Sequence, residues 1–139
     1  MTDIAERFAE AQEARLRNAP ALALAMGLPQ PRIYSIVPTN APTPYVVIGE
    51  DQVLDDSDEC QNGSEIFSTV HVWTRSEPPS TKQARDIASV LRDLLDADLG
   101  IAGHETIIHA FEDTRFPRDP GGAAHAVLTL RYVTSPSEA

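Results

Sequence analysis

The segment "STKQARDIASVLRDLLDADLG", Ser80 to Gly100, constrains this chain more than any other. Ala84, Ile87, Ala88, Leu91, Leu94 and Leu95 recur every three or four residues and so share one side of a helix, while Lys82, Arg85, Asp86, Arg92, Asp93 and Asp96 take the other. Ser80 and Gln83 have the spacing of a capping box behind Pro78 and Pro79, and Gly100 is a C-terminal stop, so the pattern predicts a helix over about 80–99. On its solvated side the pair Lys82 and Asp86 adds only a few tenths of a kcal/mol. The apolar stripe must therefore be covered by the rest of the chain.

What remains is mostly strand sequence. A second helix is predicted at the N-terminus, from Asp3 to Arg17, where Asp3 and Glu6 suit a capping box and Ile4, Phe8 and Ala11 lie together; Pro20 interrupts it, "ALALAM" adds a helical turn, and "GLPQPR" ends helical structure. From Arg32 the residues become β-branched and aromatic between prolines, with Tyr45 to Ile48 a buried strand. The acidic run from Gly49 to Glu65 reads as a long hairpin loop. Strands follow at Glu65–Arg75, Glu105–Phe116 and Ala123–Thr134, the last two joined by the turn sequence "PRDPGGA". The order of elements predicts an α+β domain spanning residues 1–139: an antiparallel-rich mixed sheet with the helix of about 80–99 and the N-terminal helix (1–19) packed on one face.

Composition narrows the function classes. With 139 residues, 42% of them hydrophobic, the chain supports one domain. Eleven Lys and Arg against 21 Asp and Glu leave a net charge of −10, the opposite of what a phosphate-binding surface requires. A single cysteine, Cys60, offers no internal disulfide, no apolar run reaches the ~18 residues of a membrane span, and the first residues lack signal-peptide character, so the expected location is the cytoplasm.

The residues that can carry chemistry do not assemble into a known pattern. Alternation along "EIFSTVHVWTR" places Ile66, Ser68, Val70, Val72 and Thr74 on one side of a strand and Phe67, Thr69, His71, Trp73 and Arg75 on the other. That second face is bulky and partly polar, as on a sheet side open to a partner or simply half-solvated. Near in sequence, His71 has neither a nucleophile nor an orienting carboxylate, so it is not read as a catalytic base. His104, His109 and His125 show no metal-ligand spacing. Asp58, Asn62 and Gly63 fit places in a calcium loop, but Cys60 and Thr69 stand where two further oxygen ligands belong. Acidic neighbours leave Cys60 without the cations that activate a thiol. No catalytic residue, cofactor or metal is expected.

Four pieces in order, "RIYSIVPTNAPTPYVVIGED", "VHVWTR", the helix from Ser80 to Leu99, and "FPRDPGGAAHAVLTLRY", together resemble the tail-completion or tail-terminator proteins of long-tailed phages and phage-like gene transfer particles. The resemblance covers roughly residues 20–134; Thr74 stands where serine is frequent, and the N-terminal helix matches only in character. It implies a structural protein, not an enzyme, that forms a homohexamer ring on the head-proximal end of the tail tube, with the tail-tube protein and a head connector or stopper as partners. DNA would pass through the lumen without specific binding, no membrane would be involved, and the chain would move from the cytoplasm into the particle at the head–tail junction. Six copies would carry about −60, a charge that repels passing DNA where it lines the lumen.

On that reading the interface or lumen residues are Asp55, Asp56, Asp58, Glu59, His71, Trp73, Arg75, Arg115, Arg118 and Asp119. Two alternatives stand beside it. The chain can be a head-side connector, stopper or tail-tube subunit of the same machine. It can also be a small acidic ligand-binding or enzymatic domain whose site is built from His71, Trp73 and His125 around a dry pocket.

Overall fold

The computed structural model describes residues 3–57, 62–119 and 121–137. One five-stranded sheet organises them, with strands β1 (Ile33–Tyr34), β2 (Tyr45–Asp55), β3 (Ser64–Arg75), β4 (His104–Arg115) and β5 (Ala123–Pro136) in the order β1-β2-β3-β5-β4. β1 pairs parallel to β2 and every other pairing is antiparallel, which is the mixed, antiparallel-rich α+β arrangement that the sequence predicts.

Helices α1 (Ile4–Arg17), α2 (Pro20–Met26) and α3 (Lys82–Leu95) cover one side of the sheet. Phe8 and Leu16 of α1, Leu22 and Met26 of α2, and Ile87, Leu91 and Leu95 of α3 meet Ile66, Val70 and Val72 of β3 and Leu128, Leu130 and Tyr132 of β5 in one core. The Phe8 and Tyr132 rings pack at 5.0 Å with a 59° tilt. Each such apolar side chain contributes about 1.5–3 kcal/mol through removal from water. The pattern along β3 alternates as expected, with Ile66, Ser68, Val70, Val72 and Thr74 buried beneath the helices.

The helix ends differ from the sequence reading. Asp3 caps α1 by accepting from the Ala5 amide at 3.1 Å. α3, however, begins at Lys82 behind Thr81 and stops at Leu95, short of 99, and the Ser80–Gln83 capping box does not form. Ser80 Oγ accepts from the Lys82 amide, while the Gln83 side chain donates to the Ala25 and Met26 carbonyls. Those carbonyls belong to the last turn of α2, where helical partners run out. Satisfying them outweighs the local cap and pins α2 against α3.

The larger correction concerns the acidic segment from Gly49 to Glu65. β2 does not end at Ile48 but continues to Asp55, paired with β3 all the way to Asp55↔Ser64. A register shift between Val47 and Glu50 marks a β-bulge, and Gly49 there has φ +102°, a conformation that side chains other than glycine's resist. The bulge reads as loop in the sequence because it breaks the two-residue period. Its effect is to turn the next two residues over: Glu50 comes to the side away from the helices, opposite Thr69, and Asp51 goes beneath them, opposite Ser68.

Candidate functional site

The side of the sheet away from the helices carries the chemistry. Trp73 and His125 are direct cross-strand partners on β3 and β5, and their rings stack at 3.8 Å with planes 13° apart. His71 lies two residues along the same face, diagonal to His125, with Nδ1 facing His125 Nε2 at 2.9 Å. Their ring centroids are 5.1 Å apart, far wider than the Trp73 stack, so the two nitrogens meet along the ring planes and not face to face.

Carboxylates close both ends of this pair. His71 Nε2 donates to Glu50 Oε2 at 2.6 Å, and His125 Nδ1 donates to Asp119 Oδ2 at 3.0 Å. The side chain of His125 is only 10% exposed. Burial pushes its pKa down; Asp119 pulls the other way, and His71 and then Arg115 add to the lowering. The orienting carboxylate that His71 lacks in its own strand is thus supplied by β2, through the bulge. Glu50 is the residue that sequence reasoning missed, and a glycine followed by a polar residue after a clear strand is the signal that carried it.

The predicted interface residues fall into two groups. His71, Trp73, Arg75, Arg115, Arg118 and Asp119 come together near the end of the sheet where β3 finishes and β5 begins. Arg75 donates to the Gly121 carbonyl at 2.5 Å, and Arg118 forms a bridge with Ala124, so both are tied to the β4–β5 turn. Arg85 of α3 lies 4.1 Å over the Phe116 ring beside them. Asp55 and Asp56 lie at the opposite end, a full strand length away, roughly 36 Å for the 11 steps of β3 from Ser64 to Arg75. There Asp55 accepts from Ser57 and the Asp56 amide donates to the Gly63 carbonyl at 2.8 Å. Asp58, Glu59 and Cys60 lie outside the described residues.

A cavity of about 660 Å³ adjoins the first group, lined by Arg85, Phe116, Arg118, Asp119 and His125 among others. Trp73 is not part of its wall, because the stacked His125 ring fills the space against the indole. Among the described residues the indole is thus covered by the His125 ring on that side. Among the described residues, no cluster of three or more His, Cys, Asp or Glu is arranged to hold a metal ion. The other two histidines sit on β4: His109 Nδ1 contacts Asp96 at 2.8 Å and His104 Nδ1 the Ala102 carbonyl at 2.9 Å.

The sheet thus carries helices on one side and a packed polar–aromatic array on the other. The chain belongs to the Tail completion protein gp17 family, whose model matches residues 13–135. It is accordingly a structural tail-completion protein and not an enzyme. Among solved structures, a chain of the virion of a native gene transfer agent particle superposes with a TM-score of 0.83 at 22% identity, over 97% of this chain and 99% of that one. The gp17 protein of bacteriophage SPP1 superposes with a TM-score of 0.57 at 21% identity, over 92% and 88%. At these identities the two likenesses speak for the fold. Among curated proteins none matches.

Proposed function

We propose that the chain is the terminator of a tail tube: copies join side by side into a six-membered ring on the head-proximal end, stop further tube growth, and offer a surface to the head connector or stopper. The observation that carries this reading is the family match, which spans the sheet and all but the start of the helical layer. The solved structure that is part of a gene transfer agent virion supports placement of this chain in a phage-like particle; assembly in the cytoplasm before that belongs to the same proposal.

The geometry agrees with ring formation. β4 is a 12-residue edge strand with Ile107 57% exposed and Ile108 43% exposed, a row of unpaired backbone groups of the kind that natural proteins cover or blunt. Opposite charges at the two ends of the sheet favour head-to-tail contacts, which close into rings when the rotation between copies allows. The net charge of −10 suits a lumen through which DNA passes without sticking, with Asp55 and Asp56 facing it.

Negative-stain micrographs of the purified chain, alone and mixed with preassembled tail tubes, test the proposal. Discrete rings, or single caps at one end of each tube, support it. Filaments of the chain alone identify a tube subunit instead, and tubes left uncapped at every ratio exclude the terminator role.

A further inference from the structure

The contacts from Glu50 through His71 and His125 to Asp119 are three hydrogen bonds in series, of 2.6, 2.9 and 3.0 Å. Each needs one proton. Two neutral imidazoles bring two, and two carboxylates at the ends bring none, so one joint is left without a proton. If both rings are neutral and donate outward to their carboxylates, the two remaining lone pairs point at each other across 2.9 Å.

We infer that this array is a binding site for a single proton, held between His71 and His125 and shared along the four residues. With that third proton every joint is satisfied and the array carries a net −1. Nδ1 of His71 then donates to Nε2 of His125. The charge sits on His71, because burial disfavours it on His125, whose other nitrogen still donates to Asp119. A second proton is refused, since it would set two N–H groups head to head.

The surroundings hold the balance. Glu50 comes from β2, Arg75 from the same strand as His71, Arg115 from the end of β4, and Arg118 and Asp119 from the turn before β5. Arg85 of α3 lines the same cavity as His125. The carboxylates favour the proton and the arginines oppose it. Loss of the proton as pH rises breaks the array at the ring–ring joint, while the outward bonds to Glu50 and Asp119 persist. Acidity therefore decides whether His71 and His125 are joined or face each other as two lone pairs. The inference concerns the isolated chain and does not depend on ring formation.

Long-range proton–nitrogen NMR of the four histidine rings in the full chain, from pH 5 to 9, reads the site directly, with His104 and His109 as internal references. The expected spectrum shows the pair losing one proton in a single coupled step, and in the protonated form both nitrogens of His71 carry hydrogen while His125 is the Nδ1–H tautomer. His125→Phe keeps a ring against Trp73 but removes the acceptor, and Glu50→Gln alters a side chain that is 70% exposed. Each variant should weaken the array's hold on its proton, Glu50→Gln by less because that carboxylate is solvated. Two rings that titrate in separate, independent steps, or a His71 step that neither variant moves, overturn the inference.

Discussion

Gln12 on α1 donates from Nε2 to Ser68 Oγ on β3 at 2.9 Å, and both residues are fully enclosed by the core. The Gln12 carbonyl oxygen has no partner among the described residues, and neither has one carboxyl oxygen of Asp51, the residue opposite Ser68. A polar seam thus runs between helix and sheet where apolar packing would be expected. The Gly49 bulge adds Asp51 to it by turning that residue inward.

Removing one member of the seam strands the others. Gln12→Ala should cost about 2–4 kcal/mol, from the cavity and the unpaired Ser68 hydroxyl together. Gln12→Leu combined with Ser68→Ala removes donor and acceptor at once but takes the Ser68 hydroxyl from Asp51, so it should recover only part of that loss and cost about 1–2 kcal/mol. Urea unfolding of both variants checks this; equal losses in the two would show that neither the cavity nor the unpaired Ser68 hydroxyl governs the cost.

Asp51 should be a stability liability at neutral pH. Burial raises its pKa, the Ser68 hydroxyl opposes that, and the charge of Glu50 adds to the rise. A carboxyl whose folded pKa exceeds its unfolded value near 3.8 contributes stability that is complete below that value and is lost as pH climbs through the folded one. Asp51→Asn should therefore raise the melting temperature at pH 7 and lose most of that advantage near pH 4. A gain of the same size at both values would contradict the assignment.

His125 gives the opposite slope. Its folded pKa is lowered, so the unfolded chain takes up its proton first as pH drops, and stability declines below about pH 6.5 by at most ~1.4 kcal/mol per unit. His125→Phe should flatten the melting temperature between pH 7 and 5. An unchanged slope would mean that other groups set it.

At Gly49 the cost of a side chain should come from the backbone alone. A Cβ there meets nothing closer than Ser35 Cβ at 3.7 Å, whereas the φ of +102° is strained for any L side chain. Gly49→Ala should destabilise by about 1–3 kcal/mol and perturb the NMR signals of His71, since the bulge is what delivers Glu50 to it. Destabilisation with unaltered His71 signals would separate the bulge from the histidine array.

The legible parts of this fold are those with an uninterrupted period. The stripe on α3 and the alternation from Ile66 to Arg75 could be read because both keep step for more than two turns or four residues, and the structure places their buried members as read. What stayed hidden was a break in period. The bulge at Gly49 made a continuing strand look like loop, and so concealed both Glu50 beside His71 and Asp51 beneath α1. The Ser80–Gln83 cap does not form for a different reason: the Gln83 amide answers the carbonyls of α2, a demand set by tertiary packing and absent from the local sequence. His71, Trp73 and His125 were each visible, but that they meet depends on β3 and β5 being neighbours across an intervening helix and strand.

The proposed capping of a tail tube is tested most directly by electron microscopy of particles from cells in which the gene for this chain is deleted. Filled heads separated from tails, the tails overgrown or ragged at one end, are the predicted outcome, with restoration when the chain is supplied from elsewhere. Intact particles with tails of one length joined to their heads would contradict it.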